Sequence, residues 1–545
     1  MLLSACGDNS LTQKPDVDAG VDQVISAPTN TVWLTGSVEV RALNAKIRTV
    51  RWTQISGPED VIIINNEQST AAFDLPAKAG VYQFELTVVD NFRNEDDDSV
   101  SITITEAAVE SSSNKADKTP IIGVQSFVFN NSNIASTLST ALKDALRLPY
   151  DTNRELMVKI WYPVQSNQDE DEDNRHDYGF HTIEQPIPSD PAGADYQQAL
   201  AFFQTTAVKS HSFYQAAPTD NTAYPVVFYS HGYGGVIEEN QSYFEALVTQ
   251  GYVVVSIGHT GEARYVTVSN GVGVGPNLAM AQHFSSELAE PDVTKILTPQ
   301  ETNQLATLPL GSTITSELLS KLHYSTNEVK VGRQEHRDLW VEDTHFVLNQ
   351  LKQINSGEID SNLKGIFDLS KLAASGHSFG GAIASRFCNQ EINCLASINI
   401  DGATVLEQQV KSPNLIFRSE PKAYIEDIIR NGGDEYKDDE AKDKAINSLK
   451  QSLHLNNHAE IQAAQSDLYI LSLKSTSHSD FVMGWFDLHT SGLGKSVLHP
   501  ILEQSSIEFL NYNLKSAQYP DAKQKLCHQL IDEDNLIMEY AKACF

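Results

Sequence analysis

The stretch GHSFGG, residues 376–381, places one serine among three glycines, directly after the apolar stretch KLAAS, residues 371–375. Glycines around a serine suit a sharp turn from a strand into a helix, because side chains would crowd the strained backbone there. Such a turn lifts the hydroxyl of Ser378 above the end of a sheet, where a substrate can reach it. G-x-S-x-G also occurs by chance in glycine-rich loops without a chemical role. Whether Ser378 is a nucleophile therefore depends on the patterns in the rest of the chain.

Strand and helix patterns alternate around this turn. Upstream lie a strand ELMVKIWYPV (155–164), an apolar run that ends in a glycine turn, YPVVFYSHGYGG (224–235), and a helix over residues 337–355 with apolar side chains at helical spacing. Downstream, apolar strands run into SINIDGA (397–403) and then into the loop that holds SHSDF (477–481). This alternation predicts an α/β domain with a mostly parallel sheet covered on both faces and an active site at the carboxyl ends of the strands.

Three side chains follow such strands in the order Ser378, Asp401, His478, which is the order of α/β-hydrolases. A serine hydroxyl is a weak nucleophile and needs a base, and the base needs a carboxylate to fix its tautomer. In SHGYGG, the backbone N–H of Tyr233, together with that of Phe379, is a candidate oxyanion hole. The pattern therefore predicts acyl transfer by a Ser-His-Asp triad without a cofactor or a metal.

The acid has a rival in Glu420, in the stretch FRSEP (417–421). Strand order favours Glu420, because most α/β-hydrolases keep their acid one strand further along than Asp401. The setting favours Asp401, which directly follows a buried apolar strand and precedes a glycine that permits a tight turn. Glu420 has a longer side chain, and the proline after it is typical of the start of a loop.

Other histidines and acids in the chain have plainer interpretations. We expect His231, His259 and His377 to be structural or pocket-lining, and Asp480 to be a loop carboxylate. The pair His454 and His458 has the spacing of metal ligands but lacks the glutamate of H-E-x-x-H. The acidic run DEDED (169–173) is interpreted as a solvated loop, with a calcium site as the alternative, since hard cations favour clustered carboxylates.

The first hundred residues have a different pattern. In VYQFELTVV (81–89) Tyr82, Phe84, Leu86 and Val88 alternate onto one face, as in a β-sandwich. The stretches DAGVDQVISAPTNTVWLTG (18–36), VRWTQISGP (50–58) and AGVYQFELTVVDN (79–91) resemble a PKD-type immunoglobulin-like domain. The resemblance implies a spacer, or a module that contacts a surface or a polysaccharide, and we expect Trp52 in its core.

Length and charge limit the remaining possibilities. A chain of 545 residues divides into several domains. We expect a signal remnant and tether at 1–13, the sandwich at 14–106, a Ser-rich linker at 107–118 and the α/β domain at 119–545, with insertions near 165–222, 266–330 and 421–466. The insertion at 266–330 could cover the mouth of the active site. A net charge of −32 without a basic stripe argues against a nucleic-acid partner.

The N-terminal stretch Leu3-Ser4-Ala5-Cys6 resembles the lipobox of bacterial lipoproteins, which implies a lipidated Cys6. The charged and apolar regions that normally precede a lipobox are missing, so the alternatives are a shortened signal, which we favour, and a chance match. Gly7 after the cysteine points to the outer membrane. The lipid would be the only membrane contact, since no stretch is long and apolar enough to span a bilayer.

Lipidation of Cys6 would leave four cysteines, which allow three connectivities. The simplest pairs are Cys388–Cys394 and Cys527–Cys544, which an oxidising envelope would permit. The alternative is four unpaired buried thiols.

The stretches RELMVKIWYP (154–163), SHGYGG, GHSFGG, SINIDGA and SHSDF together resemble the plasma-type platelet-activating factor acetylhydrolase family, over about residues 118–545. The resemblance also extends to dienelactone-hydrolase-like esterases. It implies that Ser378 is the nucleophile, Asp401 rather than Glu420 the acid, His478 the base and Tyr233 part of the oxyanion hole. The insertions leave the substrate pocket open, so the namesake's lipid substrate is not carried over.

These observations predict an envelope-anchored serine hydrolase of small-molecule or lipid esters. Within the same fold, a peptidase and a dienelactone hydrolase are alternatives. From another class of function, the alternative is a non-catalytic adhesion or carbohydrate-binding protein in which the PKD-like domain binds the ligand.

Overall fold

A computed structural model describes residues 13–25, 31–40, 45–61, 63, 66–67, 69–74, 78–105, 121–131, 139–147, 154–164, 175–178, 208–218, 222–269, 273–402, 409–430, 436, 438–482, 495–533, 535–541 and 544. The chain divides into two units, Met1–Thr119 with Asp487–Pro500, and Pro120–Phe486 with Ile501–Phe545. Cys6, the predicted linker 107–118 and the acidic run 169–173 lie outside the described residues.

The N-terminal unit is an all-β domain. Its described strands are β1 (Asp16–Asp18), β2 (Gln23–Ile25), β3 (Thr31–Thr35), β4 (Ser37–Glu39), β5 (Ile47–Ser56), β6 (Thr70–Asp74), β7 (Gly80–Asp90) and β8 (Glu95–Ile104). Strands β2, β8, β7 and β5 form one sheet in that order, and β3–β6 and β1–β4 form two-stranded ribbons. On β7 the alternating side chains named above are all fully buried, and Trp52 is 1% exposed, so both belong to the core.

The second unit is built on a mixed sheet of eleven described strands. In spatial order they are β11 (Arg175–Tyr178), β12 (Val208–Tyr214), β9 (Ile121–Asn131), β10 (Arg154–Val164), β14 (Val253–Gly258), β13 (Tyr224–Ser230), β17 (Phe367–His377), β18 (Cys394–Ile400), β19 (Asn414–Arg418), β20 (Leu468–Leu473) and β21 (Leu536–Ala541). Strands β15 (Val266–Thr267) and β16 (Gly273–Val274) form a separate ribbon.

The centre of this sheet is parallel, and its flanks are mixed, since β12 pairs with β9 in parallel and with β11 antiparallel. Neighbours from β14 through β13, β17, β18 and β19 to β20 all pair in parallel. Strand β10 runs antiparallel to β9 and β14, and β21 runs antiparallel to β20. The prediction of a mostly parallel sheet therefore holds for six central strands.

Helices connect and flank these strands. They are α1 (Thr140–Arg147), α2 (Gln241–Thr249), α3 (Leu278–Phe284), α4 (Pro299–Thr307), α5 (Ser316–His323), α6 (Val331–Ser356), α7 (Phe379–Gln390), α8 (Pro421–Arg430), α9 (Asp439–Ala463), α10 (Lys495–Leu514) and α11 (Ala522–Asp532). On α6 the predicted stripe of Trp340, Val347, Leu351 and Ile354 is fully buried. No helix in the described part of the chain combines the length and the apolar character that crossing a bilayer requires.

The three insertions fold in different ways. Part of the first adds β11 and β12 to the sheet beside β9, which the sequence did not predict, because these short strands are far along the chain from their partners. The second contains α3, α4, α5 and a π-helical turn at Tyr324–Glu328, and the third contains α8 and α9.

Candidate active site

Strand register brings the sequence-predicted residues to one edge of the sheet. Ser230 at the end of β13 pairs with Gly376, and His377 at the end of β17 pairs with Ile400 at the end of β18. Because these strands are parallel, SHGYGG, Ser378 and Asp401 all emerge side by side. His478 follows β20, two strands further along the same edge.

Ser378 occupies the turn between β17 and α7 and has φ 53° and ψ −122°. Positive φ is costly for a residue with a side chain, and such strain is typical of functional sites. The turn passes so close to β13 that a Cβ at Gly380 would collide with the carbonyl oxygen of Ser230. The second glycine after the serine is therefore required by close packing.

His478 contacts both other members of the predicted triad. Its Nε2 lies 2.9 Å from Ser378 Oγ, and its Nδ1 lies 2.6 Å from Asp401 Oδ2. The Asp401 side chain is 7% exposed and that of His478 is 28% exposed, so the acid is enclosed while the imidazole reaches the surface of the site. The other Asp401 oxygen accepts the Ser419 N–H at 2.8 Å.

The charges in this arrangement stabilise one another. Burial opposes the charged form of Asp401, but the hydrogen bond and charge of His478, the Ser419 N–H and the Arg418 guanidinium outweigh it and lower the pKa of the Asp401 carboxyl. Burial likewise favours a neutral His478, yet Asp401, assisted by Glu239, raises the pKa of the His478 imidazole above its usual value. A carboxylate that holds an imidazolium is the electrostatic arrangement that general-base catalysis needs.

Glu420 has a different position from the one that strand order suggested. Its Oε2 accepts the Ser475 N–H at 2.6 Å, and its own N–H donates to the Thr476 carbonyl at 2.8 Å. Glu420 therefore holds the loop that leads to His478 in place through hydrogen bonds to its backbone. The carboxylate that contacts the imidazole is that of Asp401, not that of Glu420.

The two predicted oxyanion donors lie beside the serine. A Cβ at Gly232, one residue before Tyr233, would lie 3.2 Å from the Cβ of Ser378, and the rings of Tyr233 and Phe379 are 6.0 Å apart. Within the part of the chain that the structure describes, neither the Tyr233 N–H nor the Phe379 N–H donates to a protein acceptor. Two unpaired donors next to a serine hydroxyl are what a developing oxyanion requires.

A buried carboxylate that the sequence did not single out holds the turn around Gly232. Glu239 is 2% exposed, and its Oε1 accepts the Gly232 N–H at 2.7 Å and the Tyr229 hydroxyl at 3.1 Å. His377 connects this acid to the base: its Nδ1 lies 3.6 Å from Glu239 Oε1, and its Nε2 lies 3.2 Å from the His478 carbonyl oxygen. The only sequence signal was an acid close after a glycine turn.

A second buried network lies behind the site. Arg154 makes a bidentate ion pair with Asp343, which also accepts a hydrogen bond from His259 Nδ1 at 2.9 Å. Trp340 Nε1 donates to Glu262 at 2.6 Å, and His336 pairs with the same carboxylate. Acids and bases far apart in sequence meet here only because β10, β14 and α6 pack together.

The histidines expected to be structural have structural contacts. His231 Nδ1–H donates to the Gly232 carbonyl at 2.6 Å, and burial lowers the pKa of His231. Burial lowers the pKa of His259 to about 4, although Asp343 opposes this. Both rings are therefore neutral near neutral pH and do not contact Ser378.

Aromatic side chains form one wall of the site. The Phe284 ring at the end of α3 stacks on Tyr233 at 4.1 Å and lies 5.0 Å from Phe379. The second insertion, expected to cover the mouth, therefore contributes a ring beside the nucleophile. Near the base, Tyr424 of α8 contacts the His478 ring edge-to-face at 5.6 Å.

The remaining predicted residues have partners outside the triad. Cys388 is bonded to Cys394, and Cys527 to Cys544, which are the pairs that the sequence favoured. His454 and His458 both place Nε2 against the Leu308 carbonyl, and Asp480 accepts the Ser477 N–H at 2.7 Å. Among the described residues, no group of three His, Cys, Asp or Glu side chains could hold a metal ion.

Comparison with known proteins agrees with this architecture. Residues 146–474, more than half of the chain, match the family model described as platelet-activating factor acetylhydrolase, isoform II. The chain belongs to this acetylhydrolase family. Residues 19–104 match the model for the K319L-like PKD domain. The predicted resemblance and the predicted fold class, an α/β-hydrolase domain after an all-β PKD domain, are both confirmed.

Two solved structures are similar to parts of this acetylhydrolase-family chain. A ferulic acid esterase from Streptomyces cinnamoneus has 15% identity and a TM-score of 0.42, covering 73% of this chain and 91% of that one. The PKD domain from KIAA 1837 protein has 29% identity and a TM-score of 0.15, covering 16% of this chain and 84% of that one. Family membership makes the protein an ester hydrolase of the acetylhydrolase type.

Proposed function

We propose that this protein hydrolyses carboxylic esters through a covalent acyl-enzyme, with Ser378 as nucleophile, His478 as general base and Asp401 as the acid that orients it. The observation that carries the proposal is the continuous hydrogen-bond path from Ser378 Oγ to His478 Nε2 at 2.9 Å and from His478 Nδ1 to Asp401 Oδ2 at 2.6 Å. Each link is within the reach required for proton transfer.

In the first half of the reaction, Ser378 Oγ attacks the ester carbonyl carbon and His478 Nε2 takes the hydroxyl proton. The carbonyl oxygen becomes an oxyanion, which can accept from the N–H groups of Tyr233 and Phe379, because these groups have no acceptor among the described residues. One such donor contributes about 3 to 4 kcal/mol to the stability of the transition state. As the bond to the alcohol oxygen breaks, His478 returns the proton to that oxygen and an acyl-serine remains.

In the second half, water takes the place of the alcohol. The oxygen of the water attacks the acyl carbon while His478 accepts a proton from the water. His478 then gives this proton to Ser378 Oγ when the acid product leaves. The buried, charged Asp401 stabilises the imidazolium in both halves. Every proton that moves is taken up and released by His478, and the triad returns to its starting state, so the scheme needs no cofactor.

Peptidase and dienelactone hydrolase activity would use the same three residues and remain alternatives. The non-catalytic alternative has less support, because a surface-binding role would give no reason for a strained Ser378 beside unpaired N–H donors. We propose that the PKD domain makes surface or polysaccharide contacts. The lipid anchor at Cys6 and the envelope location stay predictions from the sequence; incorporation of labelled palmitate into the wild type but not into Cys6→Ser would support them.

A fluorophosphonate probe tests the catalytic proposal directly, since an activated serine attacks its phosphorus, releases fluoride and becomes phosphonylated. We expect stoichiometric labelling of the wild type at Ser378 and none in Ser378→Ala. Ser356→Ala, which removes an exposed hydroxyl at the end of α6, is the matched control and should label normally. A folded wild type that neither labels nor hydrolyses short-chain 4-nitrophenyl esters would overturn the proposal.

A further inference from the structure

Arg333 stands over the aromatic wall of the site. This exposed residue lies near the start of α6, and its guanidinium carbon is 5.3 Å from the centre of the Phe284 ring. Phe284 in turn stacks on Tyr233 at 4.1 Å and contacts Phe379, the neighbour of the nucleophile, at 5.0 Å. The guanidinium therefore lies one ring away from the residues that flank Ser378.

The charge of the same guanidinium also reaches Tyr424, which lies beside His478. Tyr424 contacts the His478 ring at 5.6 Å. Burial, with Asp401 behind it, raises the pKa of the Tyr424 phenol, and the charge of Arg333 acts in the opposite direction. Arg333 is thus near both the oxyanion side and the histidine side of the site entrance.

Arg333 has no carboxylate partner in the described part of the chain. Its neighbours three and four positions away along the helix direction are Val329, Lys330, His336 and Arg337, none of which is acidic. Lys330 pairs with Glu287 and the His336 ring lies against Glu262, so these neighbours have acidic partners, whereas Arg333 has none among the described residues. The chain has 71 acidic residues and only 39 Lys or Arg residues. An arginine near the site without a carboxylate partner therefore indicates a position where an anion from outside the chain could bind.

We propose that Arg333 binds an anionic group of the substrate, a carboxylate or a phosphate, while the ester carbonyl lies at Ser378. The proposal rests on the ester hydrolase function above and deepens it by naming the substrate class as anionic esters. A guanidinium presents paired N–H donors that match the two oxygens of either group. The chain's net charge of −32 repels anions at long range, so a local cation is needed to hold one at the entrance.

Matched ester pairs test this proposal. On the acyl side, 4-nitrophenyl hemiglutarate is compared with its neutral methyl ester. On the alcohol side, acetate release from 4-acetoxybenzoate and from 4-acetoxyphenyl phosphate is compared with release from methyl 4-acetoxybenzoate. These comparisons show whether the anion that Arg333 recognises lies on the acyl or the alcohol part of the substrate, and whether it is a carboxylate or a phosphate.

For Arg333→Gln we expect KM for at least one anionic ester to rise about tenfold, the change produced by losing 1.4 kcal/mol of binding. The neutral partner should change by less than about twofold, Arg333→Lys should retain part of the preference, and added salt should weaken it in the wild type. Lys352→Gln is the control: it removes the same charge from an exposed site 19 residues further along α6, about 28 Å away.

Equal effects of Arg333→Gln on charged and neutral esters would overturn the proposal and leave the hydrolase function intact. Failure of the wild type to hydrolyse any ester, with no labelling by the fluorophosphonate, would instead contradict the proposed function itself. The two failures are therefore distinguishable in one set of assays.

Discussion

Glu239 Oε1 accepts the backbone N–H of Gly232 at 2.7 Å, and this bond fixes the turn that presents the Tyr233 N–H beside Ser378. The carboxylate is 2% exposed and lies 3.6 Å from His377 Nδ1. Through its charge it also raises the pKa of His478. One buried acid thus acts on the geometry of the oxyanion turn and on the electrostatics of the base.

Two substitutions at Glu239 should separate these effects. Glu239→Gln keeps an oxygen that can accept the Gly232 N–H but removes the charge, so we expect kcat to fall less than about tenfold and the acidic pKa of kcat/KM to decrease. Glu239→Ala also frees the turn, and kcat should fall about a hundredfold, near the lower end of the cost of one oxyanion donor. Glu238→Gln, which changes the neighbouring acid that pairs with Lys159, is the control. Unchanged kcat in a folded Glu239→Ala would contradict this role.

The pH profile should report the raised pKa of His478. The imidazole accepts a proton only when neutral, so kcat/KM should fall as pH decreases through the pKa of His478 in the free enzyme. Because Asp401 outweighs burial and raises that pKa, the acidic limb should lie above about 6.5, the ordinary value for histidine. The measurement is kcat/KM on a neutral 4-nitrophenyl ester from pH 5 to 9; a limb well below 6.5 would disagree with the structure.

The two candidate acids give opposite expectations. Asp401→Asn removes the charge that orients His478, and we expect kcat on a short-chain ester to fall about 10⁴-fold, as when a triad acid becomes an amide. Glu420→Gln leaves an oxygen for the Ser475 N–H, so its loss should be mild. Both variants differ from the wild type by one O-to-NH₂ exchange and serve as each other's control. The reverse order of effects would show that the acid is misassigned.

The disulfides should differ in their contribution to stability. Cys527–Cys544 closes a loop of 17 residues and Cys388–Cys394 a loop of 6, for which chain entropy gives about 3 and about 2 kcal/mol. Replacing Cys527 and Cys544 by serine should therefore lower the denaturation midpoint more than replacing the other pair. Guanidinium unfolding of the two double variants makes the comparison. Free thiols at all four of these cysteines in the oxidised wild type would refute both bridges.

Local sequence patterns were sufficient for several elements of the fold, although not for β11 and β12. The alternation over residues 81–89 places four side chains of β7 in the core, and the spacing of apolar residues over 337–355 gives the buried stripe of α6. The turn at Ser378 requires a glycine at position 380 of GHSFGG, because a side chain there would collide with the neighbouring strand. These features depend on backbone geometry within a few residues, which short stretches of sequence encode directly.

The choice of acid, in contrast, depended on the tertiary structure. Asp401 and Glu420 both follow parallel strands that end at the same edge, and local patterns could rank them but not decide between them. The packing of the β20 loop brings His478 Nδ1 to Asp401 Oδ2, while the same loop occupies Glu420 with the Ser475 N–H. Which carboxylate contacts the imidazole depends on distances of a few ångströms between residues that are 55 and 77 positions apart in the chain, and no periodicity in the sequence encodes such distances.

The same holds for the residues around the triad. Glu239, Phe284 and Arg333 have no motif of their own, and their contacts around the site arise from the turn before α2, from α3 and from α6. The sequence determined which backbone turns form and which side chains can perform acyl transfer. Only the tertiary structure decided which charges and rings surround that chemistry, because electrostatic and aromatic contacts depend on distances in space rather than on separation along the chain.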